Sequence, residues 1–181
     1  WKHTVRCKAG KPATARRDPP MTLLILALAL QSSPLRVAVI GDRTGDPDQA
    51  AFEACIATAL LMEPDVAVYV GALSEGYTGD PGETAAQWES VLTALAPLAG
   101  AHPLVLVPGN HDIWDEGSRA GWLEATGVPA SRVERHGGAA FVVWDTSIPD
   151  LLTGADLDSL AVLLEGVDPD EPAVMLTHKP F

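Results

Sequence analysis

The chain has 181 residues, with 24 acidic and 12 basic side chains and a formal net charge of −12. Residues 1–20 hold six basic side chains and one aspartate, so the other 161 residues carry −17. Such a surface repels polyanions, and we expect no nucleic-acid affinity. Cys7 and Cys55 are the only cysteines, which excludes a disulfide framework or a thiolate metal cage.

Residues 1–34 are predicted to be a basic tail followed by a short, signal-like hydrophobic segment. The apolar run 21–30 is too short to span a bilayer, and we expect no transmembrane segment there. Its basic flank and the small residues Ala27 and Ala29 are typical of a secretory signal. The alternative is a hydrophobic strand or helix of the core. If the run from Met21 to Ala29 is a signal, the protein is secreted or periplasmic, and otherwise it is cytoplasmic.

Residues 35–181 are predicted to form one α/β domain. Short runs rich in β-branched residues predict buried strands. Apolar side chains at helical spacing predict crossover helices between strands one and two and between strands two and three. A third helix is predicted to begin near Thr153, which forms a capping box with Asp156. The predicted strands are 35–40, 66–70, 104–107, 141–144 and 173–176.

The apolar stripes of these helices predict which side chains face the core, and Cys55 is interpreted as a small buried apolar residue among them. Residues 113–138 are less regular and predict one helix that leads to Val133 and Arg135 on a short strand. Strand, helix and strand in this order imply parallel crossovers within an α/β sheet. The stripes are Phe52, Cys55, Ile56, Ala59 and Leu60; Trp88, Val91, Leu92 and Leu95; and Leu157, Leu160, Ala161 and Leu164.

The third predicted strand ends in Pro-Gly-Asn-His-Asp, the most informative motif of the chain. Gly109 allows a tight turn, Asn110 can offer an oxygen to a cation, and His111 can bind a metal or move a proton near neutral pH. Open α/β sheets place their ligands at the carboxyl ends of strands. The motif therefore predicts a metal and phosphate site.

The other strand ends strengthen this interpretation. They read Gly41-Asp42-Arg43-Thr44-Gly45, Gly71-Ala72-Leu73, Asp145-Thr146 and Thr177-His178-Lys179-Pro180. From about residue 36 to 181 the set resembles the calcineurin-like metallophosphoesterases, and with Glu75-Gly76-Tyr77-Thr78 it is similar to a subgroup that has an Asp-Arg-Thr-Gly first motif. The resemblance implies an α/β/β/α sandwich, here incomplete at its C-terminal end.

The resemblance also implies an activity and its residues. Asp42 would bind a first metal, Asn110 and His178 a second, and His111 would be the leaving-group acid. Two divalent cations of the manganese, iron or zinc class would activate a water to hydrolyse a phosphomonoester or phosphodiester substrate.

The sequence departs from the family pattern at three places. Ala72 stands where the metal-bridging aspartate is expected, Thr44 replaces a histidine, and no Gly-His-x-His precedes the end at Phe181. Glu75 is a weak substitute for the lost carboxylate. Three functions therefore stay open. The first two are a metal-dependent phosphoesterase and a catalytically inactive homologue that acts as a binding or interaction module. An unrelated doubly wound binding domain is a third.

Three residues near the motifs keep two interpretations each. Asp42 is either a metal ligand or the cap of the following helix, although that helix is predicted to start nearer Asp48. Arg43 contacts either phosphate or a surface carboxylate. Asp112 either orients a neighbouring group or caps the next helix.

Overall fold

The computed structural model describes residues 34–45, 48–148 and 152–180, which form two three-stranded sheets and four α-helices. The basic tail, the signal-like segment and Cys7 lie outside these residues. Among the described residues, no helix has the length and apolar character needed to cross a bilayer. The strands are β1 (Val37–Ile40), β2 (Val66–Val70), β3 (Leu104–Val107), β4 (Arg132–His136), β5 (Ala139–Val143) and β6 (Ala173–Leu176), and the helices are α1 (Gln49–Leu61), α2 (Pro81–Ala101), α3 (Glu116–Thr126) and α4 (Gly154–Glu165).

The first sheet has the order β1-β2-β3 and is parallel throughout. Helices α1 and α2 connect its strands, which confirms the predicted crossovers. Each helix begins at an aspartate whose carboxylate accepts backbone N–H groups of the first turn, Asp48 for α1 and Asp80 for α2. Because all three strands run the same way, their carboxyl ends meet at one edge of the sheet.

The second sheet is mixed, and its antiparallel pair was not among the predicted parallel crossovers. Strand β4 pairs antiparallel with β5, and β5 pairs parallel with β6. Gly137 and Gly138 connect β4 to β5 with φ angles of +58° and +81°. Two left-handed residues form the tight turn that suits a two-residue hairpin, and only antiparallel strands can be joined this way.

Alternation along β2 shows how the layers stack. Val66 and Val68 pack with β5 and β6 side chains such as Phe141 and Leu176, so one face of the first sheet covers the second sheet. Ala67 and Tyr69 point the other way, into a core built with helices α1, α2 and α3. The first sheet is therefore buried on both faces. Helix α4 contacts the outer face of the second sheet, where Ser159 accepts the indole N–H of Trp144 at 3.2 Å.

The helical predictions were confirmed in most positions and wrong in two. Thr153 caps α4 through the predicted capping box with Asp156. Helix α3 and strand β4 confirm the interpretation of residues 113–138. Cys55 is exposed, because α1 buries only Phe52, Ile56 and Ala59. The predicted core stripe of α4 is also wrong, since no residue of α4 is buried.

Candidate functional site

The structure brings two of the predicted metal ligands into contact. Asn110 follows β3 of the first sheet, and His178 follows β6 of the second. The side-chain oxygen of Asn110 and Nε2 of His178 are 2.9 Å apart. Residues 68 positions apart in the chain thus meet because both sheets end at the same place. The site lies where the carboxyl ends of β3 and β6 converge.

Gly71 provides the space in which the His178 ring sits. A Cβ added at Gly71 would lie 1.6 Å from Nδ1 of His178, a distance that no side chain could tolerate. Gly71 also has a φ of +76°, which favours glycine on its own. The end of β2 therefore needs glycine for two reasons, and one of them is the imidazole.

Tyr77 fixes the orientation of the Asn110 amide. The Asn110 Nδ2 group donates to the hydroxyl of Tyr77 at 2.9 Å, which leaves Oδ1 facing His178. Since an amide oxygen can only accept, the hydrogen bond requires a proton on Nε2 of His178. Tyr77 has a φ of +51°, uncommon for a non-glycine residue. Tyr77 was not predicted to have a role, and its only signal in the sequence was its place in the Glu75–Thr78 motif.

His111 is held by the loop that follows β2. Its Nδ1 lies 2.7 Å from the backbone carbonyl oxygen of Glu75, and the ring of Tyr77 packs edge-on against it with centroids 4.9 Å apart. A carbonyl oxygen can only accept, so Nδ1 carries a proton and Nε2 is the nitrogen that can exchange one. The contact with Glu75 therefore fixes the orientation of the His111 ring.

Asp112 joins the two loops that carry these residues. Its carboxylate accepts the backbone N–H groups of Leu73, Ser74 and Gly109 at 2.8 to 3.1 Å and the Ser74 hydroxyl at 3.1 Å. Burial raises the pKa of Asp112, and the hydrogen bonds from Ser74, Gly109 and Leu73 oppose that rise. The helix-cap interpretation of Asp112 is wrong, because Asp115 caps α3.

The same loops approach each other closely through two glycines. A Cβ at Gly109 would lie 2.1 Å from the backbone nitrogen of Ala72, and one at Gly76 would lie 1.8 Å from the carbonyl oxygen of His111. Any larger residue would push the loops apart. Backbone packing and the Asp112 carboxylate together set the positions of Asn110 and His111. We call residues 71–78 and 109–112 the loop platform.

The residues after β1 contact their own loop and the loop after β2. The Asp42 carboxylate accepts the backbone N–H and the hydroxyl of Thr44, at 3.1 and 3.0 Å. Asp42 does not cap α1, because Asp48 does. The Arg43 guanidinium donates to the Leu73 carbonyl oxygen at 3.2 Å and lies 5.0 Å from the centroid of the Phe52 ring. Arg43 therefore holds the loop after β2, and the surface ion pair that was one of its two interpretations does not form with any carboxylate among the described residues.

The end of β5 also carries a structural carboxylate. The Asp145 side chain is 3% exposed and forms an ion pair with Arg119 of α3. Its other oxygen accepts the backbone N–H of Ser147 at 2.9 Å. Ser147 in turn donates its hydroxyl to the Pro108 carbonyl oxygen at 3.2 Å. This chain of contacts connects the second sheet to the backbone just before the loop platform.

A two-metal centre does not fit the side chains that the structure brings together. Among residues 34–45, 48–148 and 152–180, no three His, Cys, Asp or Glu side chains form a group that could hold a metal ion. Ala72 is fully buried and offers only a methyl group where the resemblance implied a bridging carboxylate. Glu75 has a buried Oε1 atom that makes no hydrogen bond with the described residues.

One cation fits better than two. Ligand atoms about 2.1 Å from an ion and at right angles to each other are about 3.0 Å apart. The 2.9 Å between Asn110 Oδ1 and His178 Nε2 matches that separation as well as it matches a hydrogen bond. The pair can offer two adjacent positions to one cation once Nε2 loses its proton, with the other positions left to water or substrate.

Comparisons with known proteins give distant structural similarity but no match by sequence. No family model matches the chain, and no curated protein matches it by sequence. Among solved structures, the chain is similar to a crystal structure of a dimetal phosphatase from Danio rerio, with a TM-score of 0.43 and 12% identity, over 72% of this chain and 52% of that one. The chain thus spans about half the length of that phosphatase. A similarity of this degree does not establish a shared activity.

Proposed function

We propose that this chain is a metal-dependent phosphoesterase whose site lies at the loop platform and His178. The observation that carries the proposal is the contact between Asn110 and His178, because two family ligands from different sheets meet beside an oriented histidine. Asn110 and His178 would hold one divalent cation of the manganese, iron or zinc class. A cation at that position supplies Lewis-acid polarisation of a phosphoryl oxygen.

The protein's own groups would then position the ester and move a proton. His111 is tied through Nδ1–H to the Glu75 carbonyl, so the imidazolium form, with a second proton on Nε2, would donate that Nε2 proton to the leaving group of a phosphomonoester or phosphodiester and remain as the neutral ring. Tyr77 would keep the amide oxygen of Asn110 turned towards the cation. Asp42 is exposed, and in the contacts described above its carboxylate accepts only from Thr44. It would be the remaining acidic residue of the first motif at the site.

A second candidate function rests on Ala72. The fully buried methyl group removes the ligand that would bridge two metals, and this favours a catalytically inactive homologue that binds a phosphate ester or a partner without hydrolysing it. Both candidates use the same platform. Both candidates predict binding at the platform, but only the phosphoesterase predicts hydrolysis, so binding and hydrolysis must be measured separately.

The test measures manganese binding by calorimetry and hydrolysis of chromogenic phosphomonoesters and phosphodiesters in the same preparations. We expect His178→Ala to abolish manganese binding and His111→Ala to abolish hydrolysis while manganese still binds. His102→Ala is the matched control, because His102 lies at the opposite end of β3. It should behave like the wild type.

Each outcome selects one function. Hydrolysis that is lost with a chelator and with His111→Ala supports the phosphoesterase. Manganese binding without hydrolysis, combined with hydrolysis after Ala72→Asp, supports the inactive homologue. If neither the wild type nor Ala72→Asp binds manganese or hydrolyses an ester, although both proteins are folded, the proposed site is wrong.

A further inference from the structure

An open cleft of about 810 Å³ lies between helices α2 and α3, next to the loop platform. Tyr77 belongs to both, since its hydroxyl binds Asn110 while its ring lines the cleft. Trp114 stands beside Tyr77 with ring centroids 5.5 Å apart, and both rings line the wall. A group bound in the cleft would therefore lie within one side chain of the candidate site.

The charge of the cleft is negative. Glu89, Asp115 and Glu124 line it, and none of the described residues that line it is basic. The N-termini of α2 and α3 lie at its rim and oppose this charge, because a helix N-terminus carries about half a positive unit charge. Two such termini amount to about +1 against three carboxylates. The cleft therefore favours a cation over an anion.

Aromatic rings favour the same kind of ligand. The face of a tryptophan or tyrosine ring attracts an ammonium group, and carboxylates nearby increase that attraction. The cleft offers Tyr77 and Trp114 at its wall and buried Trp88 at its base. A phosphate group would be repelled here, whereas a small alkylammonium group would meet both rings and carboxylates.

We propose that the cleft between α2 and α3 binds a small ammonium group carried by the phosphate ester that the loop platform holds, an inference that rests on the proposed function. The substrate class would then be phosphate esters of amino alcohols. The phosphate would lie at Asn110, His111 and His178, and the cation would lie beyond Tyr77.

The test uses tetramethylammonium as the probe and tert-butanol as its neutral counterpart, so no phosphate and no hydrolysis are involved. Binding is followed by the indole N–H signals of Trp88 and Trp114 in nitrogen-proton correlation spectra. Trp144 lies against α4 on the other sheet and is the internal control. We expect the signals of Trp88 and Trp114 to move with tetramethylammonium and to stay in place with tert-butanol, while Trp144 does not respond.

A pair of charge variants separates the cleft from the general acidity of the chain. Glu124→Gln should raise the apparent dissociation constant roughly threefold, the factor that one unit charge contributes at about 6 Å in water. Glu165→Gln removes the same charge from α4, outside the cleft, and should change nothing. Equal effects of both variants, equal shifts with tert-butanol, or no shift at all would overturn the proposal.

This result is independent of hydrolysis. Tetramethylammonium binding without turnover of any ester would support the cleft and contradict the phosphoesterase. Turnover of chromogenic esters without tetramethylammonium binding would support the phosphoesterase and contradict the cleft.

Discussion

Replacing Asp112 with asparagine tests the loop platform most directly. One Asp112 oxygen accepts the N–H groups of Leu73 and Ser74 and the Ser74 hydroxyl, and the other accepts the N–H of Gly109 at 2.9 Å. An asparagine must turn its NH₂ group towards one of these sets. If the NH₂ group faces Gly109, the Gly109 N–H is orphaned; in the opposite orientation the Ser74 N–H is orphaned, because the Leu73 N–H can donate to either oxygen, at 2.9 or 3.1 Å. In either orientation, the asparagine therefore leaves one buried N–H donor without an acceptor.

An orphaned buried donor costs about 1–3 kcal/mol, and the weaker bonds to a neutral amide add to it. We expect Asp112→Asn to lower the free energy of unfolding by about 2–4 kcal/mol, which moves a urea midpoint by roughly 1–2 M. Asp115→Asn is the matched control, because asparagine caps a helix about as well as aspartate. A midpoint for Asp112→Asn that equals the control would refute the role assigned to this carboxylate.

The same variant has a pH dependence of defined sign. Burial raises the pKa of Asp112 above its ordinary value of 3.8. Between pH 3.8 and the raised pKa of the folded state, the folded protein therefore binds more protons than the unfolded protein. The wild type is therefore favoured most below pH 3.8 and loses that contribution as the pH rises through the folded pKa. The penalty of Asp112→Asn, which does not titrate, should be largest in acid and should shrink towards neutral pH. A penalty that grows with pH in urea titrations would contradict this.

Two other variants test the packing of the site. Gly71→Ala should lower the free energy of unfolding by at least about 2 kcal/mol, because the new methyl group collides with His178 and the backbone is left-handed there. Gly138→Ala has the same left-handed strain but nothing within 4 Å, so it should lower the free energy by about 1 kcal/mol in thermal unfolding. Adding His178→Ala to Gly71→Ala should recover the steric part, and strict additivity would argue against the collision. Tyr77→Phe should change stability by less than about 1 kcal/mol, since Tyr77 is 57% exposed, yet it should shift the amide signals of Asn110; unchanged signals would show that the hydroxyl does not orient it.

The parallel half of the fold follows from local signals in the sequence. Asp48 and Asp80 stand where helices must begin, and the β-branched runs between them are short enough to be strands. The antiparallel half was missed because Gly137-Gly138 was not treated as a hairpin signal, although two adjacent glycines supply the two left-handed residues that such a turn needs. The antiparallel pairing of β4 with β5 follows from that single turn.

The site was predictable to the extent that it depends on strand ends. The resemblance assigned Asn110 and His178 to the same metal, and the structure places the Asn110 side-chain oxygen and His178 Nε2 2.9 Å apart. The positions of Asp112 and Tyr77 depend on which backbone groups face them after folding, and the spacing of residues in the chain carries no such information. The exposure of Cys55 was missed for a similar reason, since a helical stripe does not reveal how wide its buried face is.

The backbone at position 72 holds the loop platform together without help from the side chain. Ala72 has a φ of +26°, its carbonyl oxygen accepts the N–H of Arg43 at 3.2 Å, and its backbone nitrogen lies against Gly109. None of these contacts uses the side chain. Aspartate tolerates left-handed backbone better than most residues, so Ala72→Asp should fold on the same backbone.

That variant would place a second buried carboxylate next to Asp112, which already binds the N–H of residue 73. Two like charges in a buried site destabilise each other unless a cation lies between them. Ala72→Asp should therefore melt below the wild type in chelator and regain about 2.7 kcal/mol when manganese exceeds its dissociation constant a hundredfold, or about 5–10 °C in Tm. The wild type, with Asn110 and His178 alone, should respond much less. A variant whose melting temperature ignores manganese would show that position 72 does not face the cation site, and the proposed placement of the metal would have to be abandoned.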